Sequence, residues 1–215
     1  YSCEDPEIDD FDKIISNKKE EIDGEEKPSS NVMCWEFFND KLYIATNGEN
    51  GVKIWKSNSA DIKKNEWKLV ADKGFGDSKN IGVCAMEVYK EHLYVATSKE
   101  EQVALMLQIG NDIVRINKAD EWEVVVGGEA LKPTEPTTGT RNKAISGYDS
   151  GFSNTFNVMT SCLYVINNTL VATTRDNGSN ISVIREIAIL NKDKLIEAFT
   201  EKLYNMMMEF YDTVL

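Results

Sequence analysis

The chain has 215 residues and a mass of 24.3 kDa, enough for one domain or two small ones with a substantial core. Charged residues make up 28 % of the chain, with 13 Gly and 4 Pro, which excludes a disordered, collagen-like or disulfide-dense protein. The net charge of −12 argues against nucleic-acid binding, and no run approaches the roughly 20 apolar residues of a transmembrane helix. The composition therefore predicts a soluble, acidic, folded protein.

Residues 1–30 are predicted to form an acidic N-terminal arm. Eleven acidic side chains and three lysines lie within residues 1–26. Within the arm, Ile8, Phe11 and Ile14 recur at roughly helical spacing, so part of it can dock as a short helix. Two interpretations stay open: a solvated arm, and an arm that binds calcium or a partner.

From residue 31 onward the chain contains a pattern that occurs three times. Residues 32–46 read VMCWEFFNDKLYIAT, residues 83–97 read VCAMEVYKEHLYVAT, and residues 162–173 form a weaker third copy. Each copy has an apolar strand, a polar turn of two or three residues, and a second strand that ends in Ala-Thr. This pattern is typical of a β-hairpin.

Two further strands follow each of the first two hairpins, at residues 51–57 and 66–70 and at residues 112–116 and 121–125. Four antiparallel strands that recur at about 40 to 50 residues are typical of a β-propeller blade. The fold class predicted is therefore all-β, with propeller-like blades within residues 31–190. The blades are placed at residues 31–73, 82–127 and 156–190, and an exposed insert rich in Thr, Pro and Gly is placed at residues 129–149.

Residues 191–215 are predicted to form a C-terminal α-helix. Apolar residues from Leu195 to Val214 recur on one stripe, and Asn191 is a suitable N-cap. Three roles stay open for this helix: covering an exposed sheet edge, binding a partner or a second copy through its methionines, and attaching to a membrane surface.

Four sequence features follow one another in the first unit: residues 42–46 (LYIAT), residues 51–57 (GVKIWKS), Trp67, and residues 74–80 (GFGDSKN). In this order they resemble the blades of a family of secreted archaeal and bacterial β-propeller repeat proteins, which is distantly similar to sialidase and kelch propellers. Blades of that family read approximately L-Y-V-G-T, G-x-E-I-W-R-S, T-W and G-F-G-D/N-x-x-N. The resemblance implies a propeller architecture and an extracellular or cell-surface location, but it implies no particular activity.

In other propellers, the loops between blades and the loops after the second strand lie around the channel mouth. The resemblance therefore places the candidate ligand-binding residues there. They are Asn47, Glu49, Asn50, Asp77, Asn80, Asn154, Asn157 and Asp176. Asn167, Asn177 and Asn180 satisfy the N-x-S/T pattern and are candidate glycosylation sites.

The sequence predicts no catalytic residue, metal site or cofactor. It contains one His and four widely spaced cysteines without C-x-x-C; Cys34 and Cys84 occupy similar places in adjacent copies. Three blades are fewer than the four to eight that usually close a propeller. The predicted function is therefore a non-enzymatic binding or assembly module completed by self-association or by another chain. The alternatives are a carbohydrate-active hydrolase or lyase with acidic residues at the channel mouth, which would make a glycan the ligand, and a scaffold subunit of a larger complex.

Overall fold

The computed structural model describes residue 28 and residues 31–59, 67–99 and 109–176. The predicted C-terminal helix, the sequons at Asn177 and Asn180, and the acidic arm apart from residue 28 lie outside these ranges. None of the described residues belongs to a helix long and apolar enough to cross a membrane. The described part of the chain is built from antiparallel strands, which confirms the all-β class for these residues.

The strands follow one another as β1 (Val32–Phe38), β2 (Lys41–Thr46), β3 (Lys53–Ser57), β4 (Trp67–Ala71), β5 (Asn80–Tyr89), β6 (His92–Lys99), β7 (Ile113–Asn117), β8 (Trp122–Val126), β9 (Asn157–Ile166) and β10 (Thr169–Asp176). Strands β1 to β4 pair in chain order and are termed the first sheet. Strands β5 to β8 also pair in chain order and are termed the middle sheet. The pair β9 and β10, termed the third hairpin, joins β6 only where Ser98 lies opposite Met159. The described strands form no closed ring, so propeller closure stays a prediction.

The three hairpins have the same tight turn. Two residues connect β1 to β2, β5 to β6, and β9 to β10, and all six have φ between 42° and 68°. Positive φ at both central residues is the mark of a type I′ turn, whose twist matches that of the flanking strands. The six residues are Asn39, Asp40, Lys90, Glu91, Asn167 and Asn168.

Each hairpin also contains a one-residue bulge at the same distance before its turn, at Met33, Cys84 and Ser161. A bulge of this kind bends the strand and increases its twist. Because Cys84 is the bulged residue whereas Cys34 follows the bulge, the two cysteines occupy positions that differ by one residue.

The middle sheet is buried on both faces. Leu93 and Val95 of β6 pack against the first sheet, whereas the alternating residues Tyr94 and Ala96 pack against the third hairpin. This follows from the two-residue period of a strand, which directs successive side chains to opposite faces. The first sheet, the middle sheet and the third hairpin therefore form a stack in chain order.

The insert at residues 129–149 is exposed over most of its length, and hydrogen bonds hold it to both sheets. The backbone amides of Ile145 and Ser146 donate to the carbonyls of Val124 and Val125 at 3.0 and 3.2 Å. The hydroxyl of Thr138 donates to a carbonyl of β4 at 2.7 Å. The insert therefore covers part of the free edge of β8 and ties it to the first sheet.

Candidate functional site

The junction between the first and middle sheets, residues 72–80, contains two of the predicted site residues, Asp77 and Asn80, and both are fully buried. The junction includes a turn over Lys73–Gly76 in which all four residues have positive φ. The side-chain amide of Asn80 donates to the carbonyl of Gly74 at 2.9 Å and closes the turn. The predicted residues therefore help to build the junction itself.

The loop between β2 and β3 lies against this junction. The amide of Val52 donates to the carbonyl of Asn80 at 2.8 Å, and the amide of Gly74 donates to the carbonyl of Val52 at 3.1 Å. Gly51 makes this approach feasible, because a Cβ atom there would lie 2.7 Å from the Gly74 nitrogen. The contact brings three further predicted residues to the same end of the first sheet, where all three are exposed: Asn47, Glu49 and Asn50.

Asp77 anchors the insert to the junction. Its carboxylate accepts hydrogen bonds from the backbone amides of Leu131 and Lys132 at 3.0 and 3.1 Å, and from the amide of Lys79 at 3.1 Å. It also forms an ion pair with Lys99, whose Nζ lies 2.7 Å from Oδ2. Charge-assisted bonds of this kind are the stronger ones in proteins.

Asp112 directly precedes β7 and is the second buried carboxylate. Its Oδ2 lies 3.4 Å from Lys99 Nζ and accepts from Arg141 Nη2 at 2.9 Å and from Asn80 Nδ2 at 3.0 Å. The hydroxyl of Ser150 donates to Oδ1 at 2.6 Å. We term Asp77, Asn80, Lys99, Asp112 and Arg141 the buried polar cluster.

The buried polar cluster balances two carboxylates with two cations. Burial alone would raise the pKa of Asp77, but the charge of Lys99 and the hydrogen bonds to the carboxylate hold it below its ordinary value. Burial alone would likewise raise the pKa of Asp112, but the charges of Lys99 and Arg141 hold it below its ordinary value. Both carboxylates are therefore ionised at neutral pH and engaged by protein donors. The cluster acts as a clasp between the two sheets and the insert.

The junction between the middle sheet and the third hairpin has the same hydrogen-bond pattern. The side-chain amide of Asn157 donates to the carbonyl of Gly151 at 2.9 Å. The amide of Gly151 donates to the carbonyl of Asn111 at 2.7 Å, and the amide of Asn111 donates to the carbonyl of Asn157 at 3.0 Å. The predicted residues Asn154 and Asp176 bond to each other through their side chains at 3.0 Å. This second junction therefore accounts for all the remaining candidate ligand-binding residues.

The three charged partners in the clasp were missed at the sequence level. Lys99 is two residues beyond the second Ala-Thr, Asp112 stands in the segment predicted as a third strand, and Arg141 is one of four scattered arginines. No motif connects these positions, because each pairing depends on how the sheets stack. The one sequence signal was Asp77, a charged residue that directly follows the Gly-Phe-Gly of a tight junction.

A second polar group joins the sheets at their opposite end. Asp120, in the turn between β7 and β8, accepts from Tyr43 Oη at 2.9 Å and pairs with Lys56 at 2.5 Å and Lys68 at 3.2 Å. Burial opposes its ionisation, but the hydrogen bonds from Lys56, Tyr43 and Lys68 keep the pKa of Asp120 below its ordinary value. Burial and the adjacent Asp120 raise the pKa of Tyr43.

Each hairpin places two apolar residues on one face, at matching positions around its turn. In the first sheet they are Phe38 and Tyr43, with ring centroids 5.6 Å apart, buried against the middle sheet. In the middle sheet they are Tyr89 and Tyr94, 6.1 Å apart, packed against the third hairpin. We term this side the front face of each hairpin and the opposite side its back face.

The third hairpin leaves its front face open to solvent. The matching pair there is Ile166 and Val171, and Ile166 is 50 % exposed. Tyr164 on the same face is 59 % exposed. The back face of this hairpin is covered, since Leu163 is buried against the middle sheet. The third hairpin thus presents an apolar surface of the kind that is buried inside the stack.

The first sheet is open on its back face along β1. Trp35 is 64 % exposed and Phe37 is 48 % exposed, whereas Met86, which holds the position of Trp35 in the middle sheet, is buried. Ile44 and Trp55 lie on the same back face and are buried. The open part of this face is therefore the strip along β1.

Among the described residues, no group of three or more His, Cys, Asp or Glu side chains is placed to hold a metal ion. Asn167 is exposed in its hairpin turn, so this sequon is accessible. Comparisons of the chain with known protein families, with curated proteins and with solved structures find no match. The resemblance to secreted propeller repeat proteins therefore stays a prediction. Two features of the described residues bear on function: the buried polar cluster and the open faces.

Proposed function

We propose that this chain is a non-enzymatic assembly module of stacked, propeller-like sheets that binds a further sheet at each open end of the stack. One observation carries the proposal. Ile166 and Val171 of the third hairpin hold the positions that Tyr89 and Tyr94 use to pack on the next sheet, yet they face solvent. Exposed apolar residues at a position built for burial mark an interaction surface.

Four shared features support the propeller-like character of the sheets. The first and middle sheets have the same strand order, and all three hairpins have the same two-residue turns and the same bulge position. The fourth strands also correspond, with a bulge at Val70 in β4 and at Val125 in β8. Units of this kind bury their faces only by stacking on neighbours.

The end of the sheets that holds the two junctions and the loop between β2 and β3 is termed the loop end. It supports binding less well than the open faces do. Asp77 and Asp112 are fully buried and held in ion pairs, so they are not presented to a ligand. Asn47, Glu49 and Asn50 are exposed, but no second feature joins them into a site. No observation on the described residues favours the hydrolase or lyase alternative over the assembly proposal.

Quenching of tryptophan fluorescence by acrylamide tests the proposal. Trp35 is far more exposed than Trp55 and Trp122, so the difference between the wild-type protein and a Trp35→Phe variant isolates its signal. We expect Trp35 to be quenched in dilute protein and protected when the protein is assembled. If Trp35 were protected in the dilute monomer, the back face would be covered within the chain itself and the proposal would fail.

A further inference from the structure

We infer that the two open faces bind each other between two copies of this chain, so that the front face of each third hairpin packs on the back face of the partner's first sheet. This inference rests on the proposed function and names the occupant of the open faces. The contact would join Tyr164, Ile166 and Val171 of one copy to Trp35 and Phe37 of the other, all of them exposed in the single chain.

The contacts inside the chain give the rule for this pairing. Tyr43 on the front face of the first sheet packs in one cluster with Met86 on the back face of the middle sheet. Tyr94 on the front face of the middle sheet packs in one cluster with Leu163 on the back face of the third hairpin. Both internal contacts are therefore front to back, and the open surfaces of the third hairpin and of β1 lie on the faces that such contacts use.

The front face of the third hairpin and the open strip along β1 belong to the two kinds of face that meet inside the stack. Among the described residues, no back face of a neighbouring sheet covers Ile166 and Val171, and no front face of a neighbouring sheet covers Trp35. A second copy supplies both of these neighbours at once. Because each face binds the other kind of face, neither has to be complementary to its own surface. A contact between two identical faces would require that.

Symmetry then limits the size of the assembly. Two copies related by a two-fold axis make two identical front-to-back contacts and leave neither face open. Together they would supply six sheets or hairpins, within the range of four to eight blades that closed propellers use. If the front-to-back contact left the remaining faces of the two copies apart, further copies would add without limit. A discrete dimer is therefore the specific expectation.

Two single substitutions with the same introduced residue test the contact from both sides. Trp35→Lys places a charge on the back face, and Ile166→Lys places one on the front face; both positions are at least half exposed, so the fold should tolerate them. Ile145→Lys is the matched control, because Ile145 is an exposed apolar residue in the insert that belongs to neither face. Circular dichroism and thermal unfolding of each variant check that the fold is kept.

The native mass from light scattering, measured over a wide range of concentrations, gives the outcome. We expect the wild-type protein and Ile145→Lys to have twice the chain mass of 24.3 kDa, and each face variant to have half the mass of the dimer. An equimolar mixture of the two face variants should recover dimers at high concentration. In that mixture one contact is disrupted on both sides, but the other joins an intact front face to an intact back face.

Other outcomes overturn the inference, and they separate it from the proposed function. If one face variant stayed dimeric while the other did not, the contact would join like faces. If the mass grew continuously with concentration, two copies would not close. If the wild-type chain were a monomer with Trp35 open to acrylamide, the inference would fail while an assembly role with another protein stood. A monomer with Trp35 protected would overturn both.

Discussion

Two polar groups join the first and middle sheets, one at each end of their strands, and they differ in how far they are buried. At the loop end, Asp77, Lys99 and Asp112 form a network whose charged atoms are almost completely removed from water. At the turn end, a single carboxylate, Asp120, binds two lysines, and one of them, Lys68, is 59 % exposed. The same ionic chemistry is therefore placed in two different dielectric environments.

The difference teaches where the specificity of the stack resides. An exposed ion pair contributes about 0 to 1 kcal/mol, because water solvates its partners equally well when they are apart. A buried network adds little net stability over apolar residues, but the loss of one partner leaves a charge without compensation. We therefore expect the loop end to disfavour other arrangements of the two sheets and the insert, and the turn end to add modest stability to the arrangement that is formed.

Removing one charge from the loop end should have the largest effect. Asp112→Asn keeps the size of the side chain but leaves Lys99 and Arg141 with one carboxylate between them. We expect the free energy of unfolding to fall by about 3 to 5 kcal/mol, measured by denaturant titration. The double variant Asp112→Asn with Arg141→Gln restores the charge balance and should recover part of the loss. A loss below about 1 kcal/mol in the single variant would show that water reaches the cluster.

Acid should weaken the loop end by the same route. The folded-state pKa values of Asp77 and Asp112 are lowered, so their contribution is fully present above the unfolded pKa of about 3.9 and is lost as the pH falls through the folded values. We expect the urea midpoint to fall progressively below about pH 4. In Asp112→Asn this decline should be shallower, since one of the two groups no longer titrates. Equal declines in both proteins would place the acid sensitivity elsewhere.

The backbone at the loop end gives a third comparison, between two glycines with positive φ. In Gly51→Ala the new Cβ would meet the Gly74 nitrogen at 2.7 Å, whereas at Gly147 no atom lies within 4 Å of it. Both variants bear the cost of a left-handed alanine, about 1 to 2 kcal/mol, and Gly51→Ala adds about 1 to 3 kcal/mol from the clash. Thermal unfolding of the two variants measures the difference, and equal losses would mean that the loop moves away from the junction at no cost.

Neutralising the turn end should have the smallest effect. Asp120→Asn preserves a residue type that accepts the positive φ of 68° at this position, so only the charge is lost. We expect the free energy of unfolding to fall by about 1 to 2 kcal/mol. Lys118→Ala, which removes the exposed pair with Glu91, is the control and should leave it unchanged. A loss as large as that of Asp112→Asn would erase the distinction between the two ends.

The hairpins were predictable because their information is local. The first two copies place their strands and turns where β1, β2, β5 and β6 are found. In the third copy the turn and the bulge keep this register, but the Ala-Thr pair does not. The residue at the position of Thr97 is Thr174, one residue beyond the Ala-Thr pair of the third copy. A bulge shifts the register without changing the apolar pattern, so composition and periodicity do not reveal it.

The buried polar cluster and the open faces could not be predicted, since they depend on contacts between residues that are far apart in the sequence. Asn80 was a ligand-binding candidate because the resemblance places its loop at the channel mouth. Its side-chain amide and side-chain oxygen are instead used by Gly74, Asp112, Thr97 and Lys99. Trp35 and Met86 occupy the same place in their hairpins and have similar hydrophobicity, but only one of them has a sheet beside it. Which face is covered is a property of the stack, not of the strand.

The buried polar cluster at the loop end is completed late during synthesis on the ribosome. The first sheet is complete in sequence at Ala71, but Arg141 and Ser150, which complete the coordination of Asp112, are translated about 70 to 80 residues later. At about 5 to 20 residues per second, Phe38 and Tyr43 on the front face of the nascent first sheet stay uncovered for some seconds, until the middle sheet that packs on them has been made up to Val126. From then until Ser150 has been made, the two sheets can pack only with an incomplete set of partners for Asp112.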